Sequence, residues 1–209
     1  MNEAMNMVLM IIFGIYLGII TLHLIIKASK SEDRRKNFYF SIAVFSGAYF
    51  ICRIMLTINY LIGWDRYSDL YVWATFFVLI GFAGLMFSVE KFIYTKLKFI
   101  PTIGILFFAV LTVIYPRTDG TNLVSYYTLA GGAFGLLVPL LYLYVGFKSA
   151  GALKKSSFII AIGSLIFIAG KVLNWGTLQE SINLLYLVAP LLLIIGLMIF
   201  HYGIMKPVF

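Results

Sequence analysis

The stretch KKSSFIIAIGSLIFIAGKVLN (residues 154–174) is fit for lipid along nearly its whole length, yet Lys171 stands inside it. A membrane-spanning helix needs about 20 consecutive apolar residues. Seven runs of that kind occur, at roughly 5–26, 38–62, 70–92, 97–115, 124–147, 157–174 and 182–204. Hydrophobic residues make up 62% of the 209 and charged residues 11%. Ordinary soluble domains carry about 25% charged residues. The composition is therefore that of a multi-pass, all-α membrane protein, and the expected location is the cell membrane. The single cysteine, Cys52, rules out an intramolecular disulfide. The opening MNEAMNMVLMIIFG lacks a basic leader and a small-residue cleavage site, so the first run is expected to be a retained helix.

Basic residues fix the expected orientation, because they accumulate on the cytoplasmic side. The first, third and fifth loops with their flanking helix ends hold eleven: Lys27, Lys30, Arg34, Arg35, Lys36, Lys91, Lys96, Lys98, Lys148, Lys154 and Lys155. The second, fourth and sixth loops hold two, Arg66 and Arg117. Lys206 joins the first group. The N-terminus is expected outside and the C-terminus inside. A net charge of +8 would suit nucleic acid, but this distribution points instead to anionic headgroups at the inner face. No nucleic-acid partner is expected.

The chain also resembles itself. At an offset of 121, GIYLGIITLHLIIKAS (14–29) falls on GLLVPLLYLYVGFKSA (135–150). At an offset of 118, residues 36–56 fall on 154–174, so that Phe40 meets Phe158, Ser46 meets Ser164 and Arg53 meets Lys171. At an offset of 115, YVWATFFVLIG (71–81) falls on YLVAPLLLIIG (186–196). The reading is one seven-helix domain, 1–209, with a three-helix repeat at 5–92, a linker helix at 97–115 and a second repeat at 124–206. An odd helix between the halves makes this 3+1+3 pseudo-repeat parallel, about an axis along the membrane normal.

A 3+1+3 chain with its N-terminus outside resembles the transporter–opsin–receptor class: SWEET sugar facilitators, KDEL receptors, microbial rhodopsins and bacterial seven-helix sensor modules. VEKFIYTKLKF (89–99) and IAGKVLNW (168–175) are similar in texture to uncharacterised archaeal seven-helix integral membrane proteins. Neither resemblance implies a known ligand. Microbial rhodopsins hold retinal on a lysine of the seventh helix, opposite a carboxylate on the third. Here the seventh helix has no lysine before Lys206 and the third no carboxylate before Glu90, so no retinal is expected.

Charges within a span cost a few kcal/mol and mark functional sites by default. Arg53 and Lys171 are the two, both in the outer half of their helices. Ser46, Tyr49, Arg53, Thr57 and Tyr60 share one helical face, and Ser157, Ser164 and Lys171 another. Asn59, Asn174, Tyr127 and Tyr186 fall at similar depth. The nearest acids are Asp65, Asp69, Asp119 and Glu180, in loops or at helix ends. Cations without an intramembrane counter-charge favour an anion. Arg53 and Lys171 are thus expected to bind an anionic or amphipathic molecule in an outward-facing cavity, with the asparagines and tyrosines orienting it. The bland alternative is snorkelling to the nearby interface for Lys171 and, for Arg53, snorkelling or a purely structural bond to a loop aspartate. At the inner end stand His23, Glu90, Lys91, His201 and Tyr202; too few ligands join the histidines for a metal or haem, and Glu90–Lys91 reads as an interfacial pair.

No catalytic constellation is legible, no cofactor or metal is implied, and an enzyme is not expected. A receptor-like sensor is the leading reading. It would need a cytoplasmic partner or a second copy to relay its state. A small-solute facilitator with rocking halves and a membrane-shaping scaffold are the alternatives. Gly131 and Gly135 should let the fifth helix approach a neighbour closely, and Pro139 and Pro190 should kink the fifth and seventh. The orientation is testable in a Cys52→Ser background. A cysteine at 30 or 155 should react with an impermeant maleimide only after permeabilisation, and one at 66 or 117 in intact cells. The reverse pattern would invert the topology.

Overall fold

The computed structural model describes residues 2–63, 68–118, 121–174, 179 and 182–206. Arg66, Asp65, Asp119 and Glu180 lie outside them. The helices are α1 (Asn2–Ser29), α2 (Asp33–Leu61), α3 (Asp69–Phe92), α4 (Ile100–Ile114), α5 (Val124–Gly135), α6 (Leu137–Lys148), α7 (Gly151–Leu173) and α8 (Leu185–Met205). The strands described are a two-residue antiparallel pair, β1 (Arg117–Thr118) and β2 (Thr121–Asn122), between α4 and α5. Among the described residues six helical lengths are long and apolar enough to cross a membrane: α1, α2, α3, α5 continued by α6, α7 and α8. The chain is a helical membrane protein. In hydrocarbon no water satisfies a peptide group, so an apolar run must bond to itself as a helix.

The fourth run differs from its expected 97–115. It opens with a 3-10 turn at Thr95–Leu97, then turns through left-handed backbone at Lys98 and Phe99 (φ 51° and 62°). Pro101 fixes the first turn of α4. The remaining 15 residues of α4 rise only about 22 Å, short of a hydrocarbon core of about 30 Å. The fifth run is broken at Leu136, between α5 and α6. Pro139 has no N–H for the carbonyl of Gly135, so the break falls one turn before it. Pro190 stands inside α8 without ending it.

The chain divides into two compact units, Leu17–Gly135 and Met1–Tyr16 with Leu136–Phe209. In the first, α2 packs on α3, and α3 on α4 and α5. A Cβ at Gly81 would stand 3.1 Å from the Phe45 carbonyl oxygen, and one at Gly84 2.9 Å from Val44. The GxxxG of the fifth helix behaves as its spacing suggests. A Cβ at Gly131 would stand 2.6 Å from Leu79, and one at Gly135 3.4 Å from Phe82, both residues on α3.

In the second unit α7 and α8 make the most intimate contact. Small residues recur every seventh position on each helix, as Ser156, Gly163 and Gly170 on α7 and Ala189, Gly196 and Gly203 on α8. A Cβ at Gly163 would run into the backbone nitrogen of Phe200, and one at Gly196 into that of Phe167. Ser156 donates to the Gly203 carbonyl oxygen at 2.6 Å. Lipid supplies no hydrophobic drive between helices, so such close backbone approach is what holds them. Gly163→Leu and Gly196→Leu should each destabilise the protein by about 1–3 kcal/mol or more, read as a lowered thermal midpoint in detergent. Gly132→Leu, at a position with nothing within 4 Å, should leave the midpoint unchanged.

Candidate functional site

The polar face of α2 is closed at one end and open at the other. Ser46 and Tyr49 are 1% and 2% exposed, Arg53 and Thr57 are half-buried, and Tyr60 is exposed. Ser46 is satisfied within the unit, its Oγ 2.9 Å from the Thr21 hydroxyl. Thr57 donates to the Arg53 carbonyl oxygen at 2.8 Å. The Arg53 Nε is buried and has no hydrogen-bond partner among the described residues. Arg53 stands eight residues before the end of α2, about 12 Å along its axis. A guanidinium there is too deep to be explained by the helix terminus.

Lys171 differs. It lies in the last turn of α7 and is half-buried. A cation there complements the negative end of the helix and lies close to the interface. Snorkelling is one account of Lys171, whereas Arg53 stands further from the end of its helix. The two belong to different units, as do their companions: Asn59 and Tyr127 with Arg53, Asn174 and Tyr186 with Lys171.

The asparagines are engaged in the chain's own turns. Asn59 is fully buried, and its Oδ1 accepts from the Ser68 hydroxyl at 2.8 Å. Ser68 in turn caps α3, its Oγ accepting from the Tyr71 amide at 3.2 Å. Asn59 thus ties the last turn of α2 to the start of α3. Asn174 caps the end of α7, with its Oδ1 accepting from Gln179 Nε2 at 2.8 Å. Tyr127 is half-buried on α5, its ring 6.4 Å from that of Phe108 on α4. Tyr186 is half-buried in the first turn of α8.

At the other end of the helices the expected Glu90–Lys91 pair is split. Lys91 is exposed, with its ammonium 5.3 Å from the Phe87 ring centre and 5.5 Å from that of Phe92. Glu90 is 1% exposed and turns to α4, where Oε2 accepts from the Thr102 hydroxyl and, at 3.3 Å, from its amide. Consecutive residues on a helix point about 100° apart, so the charges separate. Phe99 offers α4 no side-chain cap, and Glu90 supplies one from α3. Nothing local announced this, because the residues are twelve apart across a turn with unusual backbone. The Tyr16 hydroxyl lies 3.4 Å from His201 Nδ1, while His23 is exposed. Among the described residues no three His, Cys, Asp or Glu side chains gather.

Compared with known protein families, curated proteins and solved structures, the chain matches none.

Glu90→Ala would leave buried donors of α4 without a partner, at a cost of about 1–3 kcal/mol. Its thermal midpoint should fall, whereas Glu90→Gln, which keeps an acceptor oxygen, should recover most of the loss. Equal midpoints for the two variants would mean that the cap is dispensable.

Proposed function

We propose that the protein is a receptor-like membrane protein, N-terminus outside and C-terminus inside, that binds a small anionic or amphipathic molecule through Arg53. One observation carries the reading: a half-buried guanidinium within an apolar span, with no bond to Nε among the described residues, on a polar face that becomes exposed towards the helix end. A guanidinium presents five donors in a planar fork that suits carboxylate and phosphate. A ligand anion at that depth would offset the cost of holding the charge in the span. Tyr127 supplies a hydroxyl and a ring within the same unit, and Asn59 acts by holding the α2–α3 turn.

The parallel 3+1+3 repeat gains support from packing. At the offsets of 115 and 118, Gly81 corresponds to Gly196 and Phe45 to Gly163. A Cβ at Gly81 would meet the Phe45 carbonyl oxygen at 3.1 Å, and one at Gly196 that of Gly163 at 2.9 Å. One close backbone approach of α2 to α3 and one of α7 to α8 thus use equivalent positions. On this correspondence Lys171 holds the place of Arg53 in the second repeat, and is the second residue tested. Tyr186 and Asn174 are its companions there.

The facilitator reading draws on a separate observation, the break between α5 and α6 at Leu136. Interrupted helices recur in transporters, where the loose backbone ends face the transported solute. Uptake of labelled solutes into proteoliposomes tests that reading directly.

Native mass spectra of the gently solubilised protein should show a small anionic or amphipathic adduct. Arg53→Ala should abolish it, and Lys171→Ala should weaken it if both repeats contribute. No adduct, or one indifferent to Arg53→Ala, would sink the proposal.

A further inference from the structure

A different site is built at the basic end of α7. A groove of about 760 Å³ opens at its first residues, Gly151 and Ala152, and runs past Lys154, Lys155, Phe158 and Ile159 to Ile162. Its volume is that of an ordinary ligand site, about 300–1,000 Å³. Positions 155, 158, 159 and 162 recur at helical spacing, so the lysines stand one turn above an apolar stripe. The wall is prepared in advance. The Phe158 ring meets that of Phe147 edge-on, with centres 5.1 Å apart. Gly146 leaves room for it, since a Cβ there would stand 3.3 Å from the ring.

Basic residues outnumber acidic ones in this half of the chain. Residues 136–209 hold five lysines, no arginine and one acid, Glu180. Lys154 and Lys155 are exposed. Ala150 offers the start of α7 no side-chain cap.

We infer that this groove holds one anionic phospholipid, its phosphate on Lys154 and Lys155 and an acyl chain along Phe158, Ile159 and Ile162. A free anion would use the lysines and leave the apolar stripe without purpose. A neutral lipid would use the stripe and leave the lysines without a partner. The two features lie in the order of a lipid, polar at the helix start and apolar one turn deeper. The assignment is independent of Arg53.

The test titrates the full-length protein in mild detergent with dioleoyl phosphatidylglycerol and, separately, dioleoyl phosphatidylcholine, and counts bound lipid by native mass spectrometry. The expected preference for phosphatidylglycerol is about fivefold or more. Lys154→Gln with Lys155→Gln should reduce it to near parity. Ile159→Trp should fill the stripe and lower retention of both lipids. Lys96→Gln with Lys98→Gln, a basic pair elsewhere in the chain, should leave the preference intact. Thermal midpoints in lipid-free detergent verify that each variant is folded. The inference is overturned if the Lys154/Lys155 variant keeps the preference, or if the Lys96/Lys98 variant loses as much. It is also overturned if wild type retains both lipids equally, or if inorganic phosphate displaces phosphatidylglycerol while Ile159→Trp has no effect, which would mark a free-anion site.

Discussion

A peptide group held in hydrocarbon without a partner costs several kcal/mol, and that penalty orders the whole chain. It turns each long apolar run into a helix, and it requires an explanation wherever a helix is interrupted. At Leu136 the explanation is Pro139, which cannot serve the Gly135 carbonyl. At Lys98 and Phe99 the chain takes left-handed backbone and restarts as α4, and the exposed start of that helix is served by Glu90. A carboxylate that looks in sequence like a surface charge is in fact a partner for backbone amides.

The same penalty explains why most polar residues within the spans do nothing beyond their own helix. Thr75, Thr112, Thr128 and Ser164 each donate to the carbonyl oxygen four residues earlier. This is the cheapest way for a hydroxyl to enter hydrocarbon. Among the described residues some hydroxyls reach across to another element, as Thr21 to Ser46, Ser68 to Asn59, Thr102 to Glu90, and Ser156 to the Gly203 carbonyl. Those are the contacts that fix register between helices, and each sits beside a close approach or a turn.

This divides what the sequence made legible from what it hid. Six of the seven expected spans and their approximate bounds follow from hydropathy, because the lipid requirement acts on each run separately. The close contact at Gly131 and Gly135 was legible for the same reason, being written in one helix. The shortness of α4 was hidden, since 97–115 is apolar throughout and only backbone geometry at two residues cuts it. Asn59 and Asn174 looked like ligand contacts from depth alone. Their engagement with Ser68 and Gln179 depends on turns that composition does not encode. The seven-residue recurrence of small residues on α7 was visible as Gly163 and Gly170. Its match to Ala189, Gly196 and Gly203 on α8 needs the antiparallel pairing to be known.

Arg53 and Lys171 show how position in a helix changes the meaning of a charge. Both occupy apolar runs, and self-alignment pairs them. In the last turn of α7 a cation gains from the unsatisfied carbonyls of the helix end and from a short path to water. Arg53 stands about two turns deeper on α2, and its buried Nε has no acceptor among the described residues. The serine and threonine hydroxyls of that face are committed to Thr21 or to backbone carbonyls, so the face cannot rearrange cheaply to serve it. On the reading proposed above, an anion from outside the chain would match both the charge and the geometry of the guanidinium.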